Sequence, residues 1–439
     1  MAWPEHVLWW QLYPLGFVGA PIRPEQPVAE VTHRLPRIEG WLDHLLGLGL
    51  NGLLLGPVFA SETHGYDTVD HLRVDPRLGD DADFDRLLAA CQERGIRVLL
   101  DGVFNHVGRG HPAFQDVVAR GPASASAELF AIDWPEGWTR GDPVPVADFE
   151  GHGSLVALDH GSPAVERLVA EAMRHWLDRG IDGWRLDAAY AVPPSFWARV
   201  LPEVRARHPE AWFLGEVIHG DYAGFVRDSG VDTVTQYELW QGIWHGIADR
   251  NLWESAHAIR RHDALLRSFV PQTFVGNHDV TRIASAVGVE RMPHALAVLL
   301  TVAGTPSVYA GDEWAWSGVK EERLGGDDAV RPEFPAAPPT ADAVASDARD
   351  ILRHTERLIA LRRRNPWLHR AHTDVVEVTN ATMVLRTATA EAAIVTALNV
   401  GDAAVRVPAG GLAEVVAGAA RVDGGMLELP PRGWAVLGG

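Results

Sequence analysis

A chain of 439 residues exceeds what one hydrophobic core usually supports, yet a barrel with a helical shell takes up most of that length as one unit, so one large domain and a smaller one are expected. With 47% hydrophobic and 22% charged residues and no run of about 18 apolar residues, the composition is that of an ordinary globular protein and argues against membrane insertion. The formal charge of −19 disfavours nucleic acid and anionic lipid as partners and favours a neutral or cationic ligand, while the single cysteine, Cys91, excludes an intramolecular disulfide.

The opening stretch, MAWPEHVLWWQLYP, lacks the basic segment and small-residue cleavage site of a signal peptide, which points to the cytoplasm. From there, short runs rich in Val, Leu, Ile and aromatic residues recur along three quarters of the chain, separated by segments with helical apolar spacing; this alternation predicts a parallel sheet. The predicted strands are VLWWQLY (7–13), GLLLGPV (52–58), RVLLDGVF (97–104), GWRLDAA (183–189), WFLGEV (212–217), DTVTQYE (232–238), QTFVGN (272–277) and PSVYAG (306–311). Eight is the number that closes a barrel. RIEGWLDHLLGLG, DFDRLLAACQERG, PAVERLVAEAMRHWLDRG and PSFWARVLPEVRARHP read as helices against that sheet, with Asp83 and Ser195 as N-caps and Gly95 and Gly180 as stops.

The Gly-, Pro-, Ser- and Asp-rich stretch 107–160 reads as a small subdomain inserted after the third strand at the catalytic face, which leaves 1–106 and 161–371 for the (β/α)8 barrel. Residues 321–347 read as a loop covering part of the cleft. Beyond the helix over 348–366, alternating runs such as TMVLRTA, AAIVTALNV and GWAVL predict a C-terminal antiparallel β-sandwich over 372–439. The 17 tryptophans suit packing and, through their flat amphipathic rings, stacking on sugar faces.

In such a barrel the C-terminal strand ends converge on one mouth. They carry Asp101, Asn105 and His106 on the third strand, Arg185 and Asp187 on the fourth, Glu216 on the fifth, and Asn277, His278 and Asp279 on the seventh. Retaining acetal hydrolysis needs a carboxylate nucleophile and a carboxylic acid about 5 to 5.5 Å apart, a spacing that adjacent strands provide. Asp187 and Glu216 are the natural pair, with Trp212, Phe213 and nearby aromatics expected to give Glu216 a partly apolar setting. Arg185 shares Asp187's face of its strand and can pair with it, although Asp101 and Arg185 can equally form a buried ion pair closing the barrel. Asp279 is a third acid suited to gripping sugar hydroxyls, with His106 and His278 as partners.

DGVFNH (101–106), GWRLDAA (183–189), GEV (215–217) and VGNHD (275–279) resemble the four signature regions of the α-amylase family, glycoside hydrolase family 13. HGYDTVDHLRVDPRLG (64–79) is similar to the family's second-strand loop, and GTPSVYAGDEW (304–314) to its eighth strand. The resemblance implies that Asp187 is the nucleophile, Glu216 the general acid/base and Asp279 the transition-state stabiliser. It further implies that Arg185, His106, His278 and Tyr66 line the subsite of the cleaved glucose, Tyr66 as stacking platform, with Asp328 and Arg331 as further sugar contacts; Asp101, at the end of the third strand, is counted among the substrate-binding candidates. No cofactor is required. Many members use the residue matching Asn105 for structural calcium, but the inserted segment carries no recognisable ligand motif to complete such a site.

Many endo-acting α-amylases have Lys-His where this chain has Ala189 and Tyr190, and oligo-1,6-glucosidases usually have an Asp where it has Thr63, before His64. The first departure argues against an ordinary starch α-amylase, and the second resembles the cyclomaltodextrinase and neopullulanase group, so the chain is placed loosely nearest the cyclomaltodextrinase, neopullulanase and α-glucosidase-like members. The reading is thus a retaining hydrolase of α-1,4 and α-1,6 bonds in malto-oligosaccharides, with an oligosaccharide as its partner and neither nucleic acid nor membrane. A transglycosylase would use the same intermediate with a sugar in place of water. A non-catalytic sugar-binding homologue would have lost at least one acid, and none is lost.

Overall fold

The computed structural model describes residues 3–26 and 28–438. Eight strands, β1 (Trp9–Leu12), β2 (Gly52–Leu55), β3 (Arg97–Gly102), β4 (Gly183–Leu186), β5 (Trp212–Gly215), β6 (Thr233–Val234), β7 (Gln272–Phe274) and β8 (Thr305–Tyr309), form one parallel sheet in the order β6-β5-β4-β3-β2-β1-β8-β7. A bridge between Thr235 and Gln272 joins its two outer strands and closes it into a barrel. Each strand falls within or overlaps a predicted run, because a strand buried on both faces is nearly continuously apolar. The runs overshoot where the chain bends into the mouth. The sixth keeps two residues, since Gln236 accepts a hydrogen bond from Leu239 N and caps a helix from Tyr237.

Alternation along the strands separates interior from shell. On β4, Trp184 faces outward onto Phe59 and Phe104, whereas Gly183 and Arg185 face the axis. Gly183 is dictated by close approach, because a Cβ there would lie 2.0 Å from Trp212 O. The barrel floor is aromatic: Trp9 and Trp212 stack at 5.8 Å, and Trp3 meets both edge-on.

The shell contains α1 (Asp81–Glu93), α2 (Pro163–Arg179), α3 (Pro194–Arg205), α4 (Tyr222–Ser229), α5 (Tyr237–Ala248), α6 (Leu252–Leu265), α7 (Met292–Thr301) and α8 (Ser346–Arg364). Two predicted caps are displaced. Asp80, rather than Asp83, caps α1, and Asp83 serves as the N3 partner of a capping box; α3 starts at Pro194 with Pro193 as N-cap, so Ser195 lies inside the first turn. The helix expected over 37–49 divides at Gly40 into Pro36–Glu39 and Leu42–Gly47. Gly95 and Gly180 do stand at helix ends with φ of +68° and +109°.

After β3, His106–Gly108, His152–Ala157 and Asp148–Phe149 pair as a small antiparallel sheet beside a helix over Pro112–Arg120. Past α8, the strands β9 (His372–Val378), β10 (Thr382–Ala388), β11 (Ala393–Asn399), β12 (Val405–Pro408), β13 (Glu414–Gly418), β14 (Arg421–Asp423), β15 (Met426–Leu429) and β16 (Trp434–Gly438) make two antiparallel sheets, β9-β10-β11-β16-β13 and β12-β15-β14. Val395, Ala397, Val407, Leu427 and Leu429 fill the space between them. This unit packs on α7, whose residues are all buried; Thr396 Oγ1 donates to Thr301 Oγ1 at 2.8 Å, and His294 Nε2 lies 3.1 Å from Asn399 O. No described helix is long and apolar enough to cross a membrane.

Candidate active site

Register brings the charges together. Asp101 on β3 stands opposite Arg185 on β4, and Asp187 follows two residues later on the same face. Arg185 Nη1 donates to Asp101 Oδ1 and Oδ2 at 2.6 and 2.5 Å and to Asp187 Oδ1 at 3.3 Å, while Nη2 lies 2.6 Å from Glu216 Oε1 and 3.9 Å from Asp279 Oδ2. One buried guanidinium thus faces four carboxylates. Asp101 is fully buried beneath the other three, so it acts as the counter-charge that fixes Arg185.

Glu216 accepts from Tyr237 Oη at 3.0 Å and from Ala188 N at 3.0 Å. Ala188 adopts φ +45°, a left-handed conformation costly for a residue with a Cβ, and that turn aims its N–H at the carboxylate. Asn277 Nδ2 donates to Tyr237 Oη at 2.9 Å and its Oδ1 accepts from Asp279 N at 2.9 Å, which ties the fifth, sixth and seventh strand ends together. The expected apolar setting from Trp212 and Phe213 is not found. Trp212 does share Glu216's face, but four residues earlier, roughly 13 Å down the barrel axis, and Phe213 points outward beneath Arg205.

Asp279 accepts from Arg331 Nη2 at 2.7 Å and lies 3.1 Å from His278 Nε2. Burial opposes its ionisation, but His278, Arg331, Arg185 and Lys320 together hold its carboxyl well below the usual carboxylate range. Asp187 moves the other way: burial and the charges of Glu216, Asp101 and Asp279 outweigh Arg185 and raise it well above that range. Asp101 is pushed up to about 6, mainly by burial.

Both histidines are kept neutral by burial, His278 lowered to about 3 and His106 to about 4. Gln11 Nε2 lies 3.2 Å from His278 Nδ1 and donates to it, which assigns the ring proton to Nε2, on the side of Asp279 and Tyr66. Tyr66 Oη bonds His278 Nε2 and donates to Asp101 Oδ2 at 3.2 Å, and its ring lies parallel to His278 at 5.7 Å. His106 donates from Nε2 to Tyr66 O at 2.9 Å, receives Asn105 Nδ2 on Nδ1 at 3.1 Å, and stacks on Phe149 at 4.8 Å.

Above these groups opens a cleft of about 500 Å³, lined by Tyr66, His106, Asp187, Glu216, Asp279 and Arg331 with Glu150, Tyr190, Trp240 and Lys320 among its other walls. Asp328 is not part of it: that side chain turns outward to pair with Arg23 at 2.7 Å, and Asp327 lines the cleft instead, 3.4 Å from Arg331. Among the described residues, the one cluster of acids and histidines with metal-ligating geometry is His33, Asp80 and Asp83, which includes no residue of the inserted segment. Gln11 and Tyr237 had not been anticipated. Gln11 carried a signal, being the one polar side chain in an apolar strand, and Tyr237 follows β6 directly; Glu150 and Trp240 carried none.

The family pattern described as "Alpha amylase, catalytic domain" matches residues 35–367. A maltogenic α-amylase from Bacillus acidopullulyticus is 31% identical over 391 residues, covering 83% of this chain and 64% of the relative. A cyclomaltodextrinase from Geobacillus thermopakistaniensis is 31% identical over 392 residues, covering 84% and 64%. The chain therefore spans just under two thirds of the length of these curated relatives. Among solved structures, the ligand-free cyclic α-maltosyl-(1→6)-maltose hydrolase from Arthrobacter globiformis superposes over 100% of both chains with a TM-score of 0.83 at 26% identity.

Proposed function

Because this chain belongs to the α-amylase family of retaining glycoside hydrolases, we propose that it cleaves α-glucosidic bonds, mainly α-1,4 and also α-1,6, in malto-oligosaccharides and related α-glucans through a covalent glycosyl-enzyme. The observation that carries this reading is the ring of carboxylates about Arg185, with Asp187, Glu216 and Asp279 all lining one cleft.

Asp187 is read as the nucleophile, attacking the anomeric carbon from the end of β4, and Glu216 as the acid that protonates the leaving oxygen and then the base that activates water. The donors on Glu216 suit its ionised form, the one in which it acts as base. For the acid step it must carry a proton, and Arg185 also donates to Asp187 at 3.3 Å, which favours the ionised nucleophile. Asp279 grips the hydroxyls of the distorted ring, positioned by Arg331 and the Nε2–H of His278, and Tyr66 offers its ring as a platform. With Glu216 protonated for the acid step, the ionised carboxylates of Asp187 and Asp279 in the wall of the cleft favour the oxocarbenium-like transition state.

The lone cysteine supports a cytoplasmic setting. We read 1–106 with 161–371, 107–160 and 372–439 as the barrel, the inserted subdomain and the C-terminal unit. With maltotriose as substrate and reducing sugar as readout, Glu216→Gln is expected to lose about 10²–10⁴-fold in kcat, and Asp187→Ala all measurable turnover. Near wild-type turnover in either variant contradicts the assignment.

A further inference from the structure

We propose that a second arm of the cleft, floored by Trp240 and Trp244, holds a neutral glucosyl unit beyond the one whose bond is cleaved. This inference rests on the glycosidase reading above. Residues four apart on α5 share a face, which sets the two indoles side by side at 5.8 Å and 47°. The packing side of the helix is carried by Leu239, Ile243 and Ile247, all buried; Trp240 lies against Phe274 and Trp244 against the core edge, and each keeps part of its surface open. They border a cavity of about 300 Å³ with Val280 and Ala286 as apolar neighbours and Thr281, Lys320 and Glu322 as polar ones.

That combination fits a sugar ring, whose C–H faces lie on aromatic planes while its hydroxyls meet a few polar groups. The neighbouring charges, Lys320 with Glu322 and Asp279, favour a neutral occupant over an anion. Continuity selects which neutral occupant. Trp240, Asp279, Val280 and Lys320 line both this cavity and the catalytic cleft, so an oligosaccharide held in one extends directly into the other. Trp244 borders the second cavity and not the cleft, and therefore reports on the arm alone.

The test compares maltotriose with maltohexaose, in turnover and, in a Glu216→Gln background, in binding by calorimetry. Trp244→Ala is expected to weaken maltohexaose binding and raise its KM about tenfold, with kcat and the maltotriose values changed less than about twofold. Ala286→Phe, which fills the cavity and leaves both indoles in place, is expected to do the same and covers the case in which Trp244→Ala misfolds. Equal effects on the two sugars, or no effect on either, overturn the arm. If the wild type turns over neither sugar, the glycosidase reading fails by itself, and the binding comparison still decides whether the arm exists.

Discussion

Four carboxylates within reach of one guanidinium cannot all ionise at the ordinary cost, and Asp187 bears most of the consequence. Burial and the charges of Glu216, Asp101 and Asp279 raise it well above the usual carboxylate range. A nucleophile acts in its ionised form, so activity is present above that raised value and is lost as pH falls through it. The acid limb of kcat/KM is therefore expected to lie clearly above about pH 4, where a free aspartate titrates, and to move to lower pH in Asp101→Asn, which removes one of the opposing charges and keeps an acceptor for Arg185. An acid limb at or below about pH 4 in the wild type contradicts this. Most of these residues were legible because an ionisable group at the end of an apolar strand costs free energy unless it is paired or used. Two readings failed for different reasons. Asp328 missed by one position because a loop has no period to set which side chain faces in, and Trp212 was assigned to Glu216 by closeness in sequence, although strand rise separates them along the axis.

Between residue and barrel stands the hairpin of the inserted segment, Asp148–Phe149 with His152–Ala157. Its turn is held by Asp148 Oδ1 accepting from Gly151 N at 3.0 Å, with Glu150 and Gly151 at φ +52° and +82°. Phe149 rests on His106, and Tyr190 Oη donates to Glu150 Oε1 at 2.8 Å, so the hairpin ties the β3 side of the cleft to the β4 side. Loss of this tie in Tyr190→Phe is expected to raise kcat/KM for amylose relative to maltotriose several-fold; an unchanged ratio in paired assays contradicts a restricting role. The sequence marked the segment as an insertion from its composition, but the contact joins residues forty apart and has no local signature. The same limit applies to the elements that went unread. α7 is buried on every side and so shows no single apolar stripe, and β14 is three residues long between glycine-rich turns.

At the scale of the whole molecule, the barrel was the most legible feature, since eight strands buried on both faces leave eight apolar runs. How the C-terminal sheets dock was not, because α7 serves both the barrel shell and the β-unit, and that double use appears only when His294 is seen reaching Asn399 O and Thr301 meeting Thr396. The arrangement leaves the mouth, at the opposite end from the aromatic floor of Trp3, Trp9 and Trp212, as the place where the acids converge. The central claim is that this convergence forms a covalent glycosyl-enzyme on Asp187. It is tested most directly by treating Glu216→Gln protein with α-maltosyl fluoride and weighing the intact chain. Fluoride leaves without protonation, so the first step proceeds, while the second stalls for want of a base. The expected result is a mass gain of one maltosyl residue, mapped by peptide analysis to Asp187; an adduct on another side chain, or inverted product released with no adduct, would contradict the account.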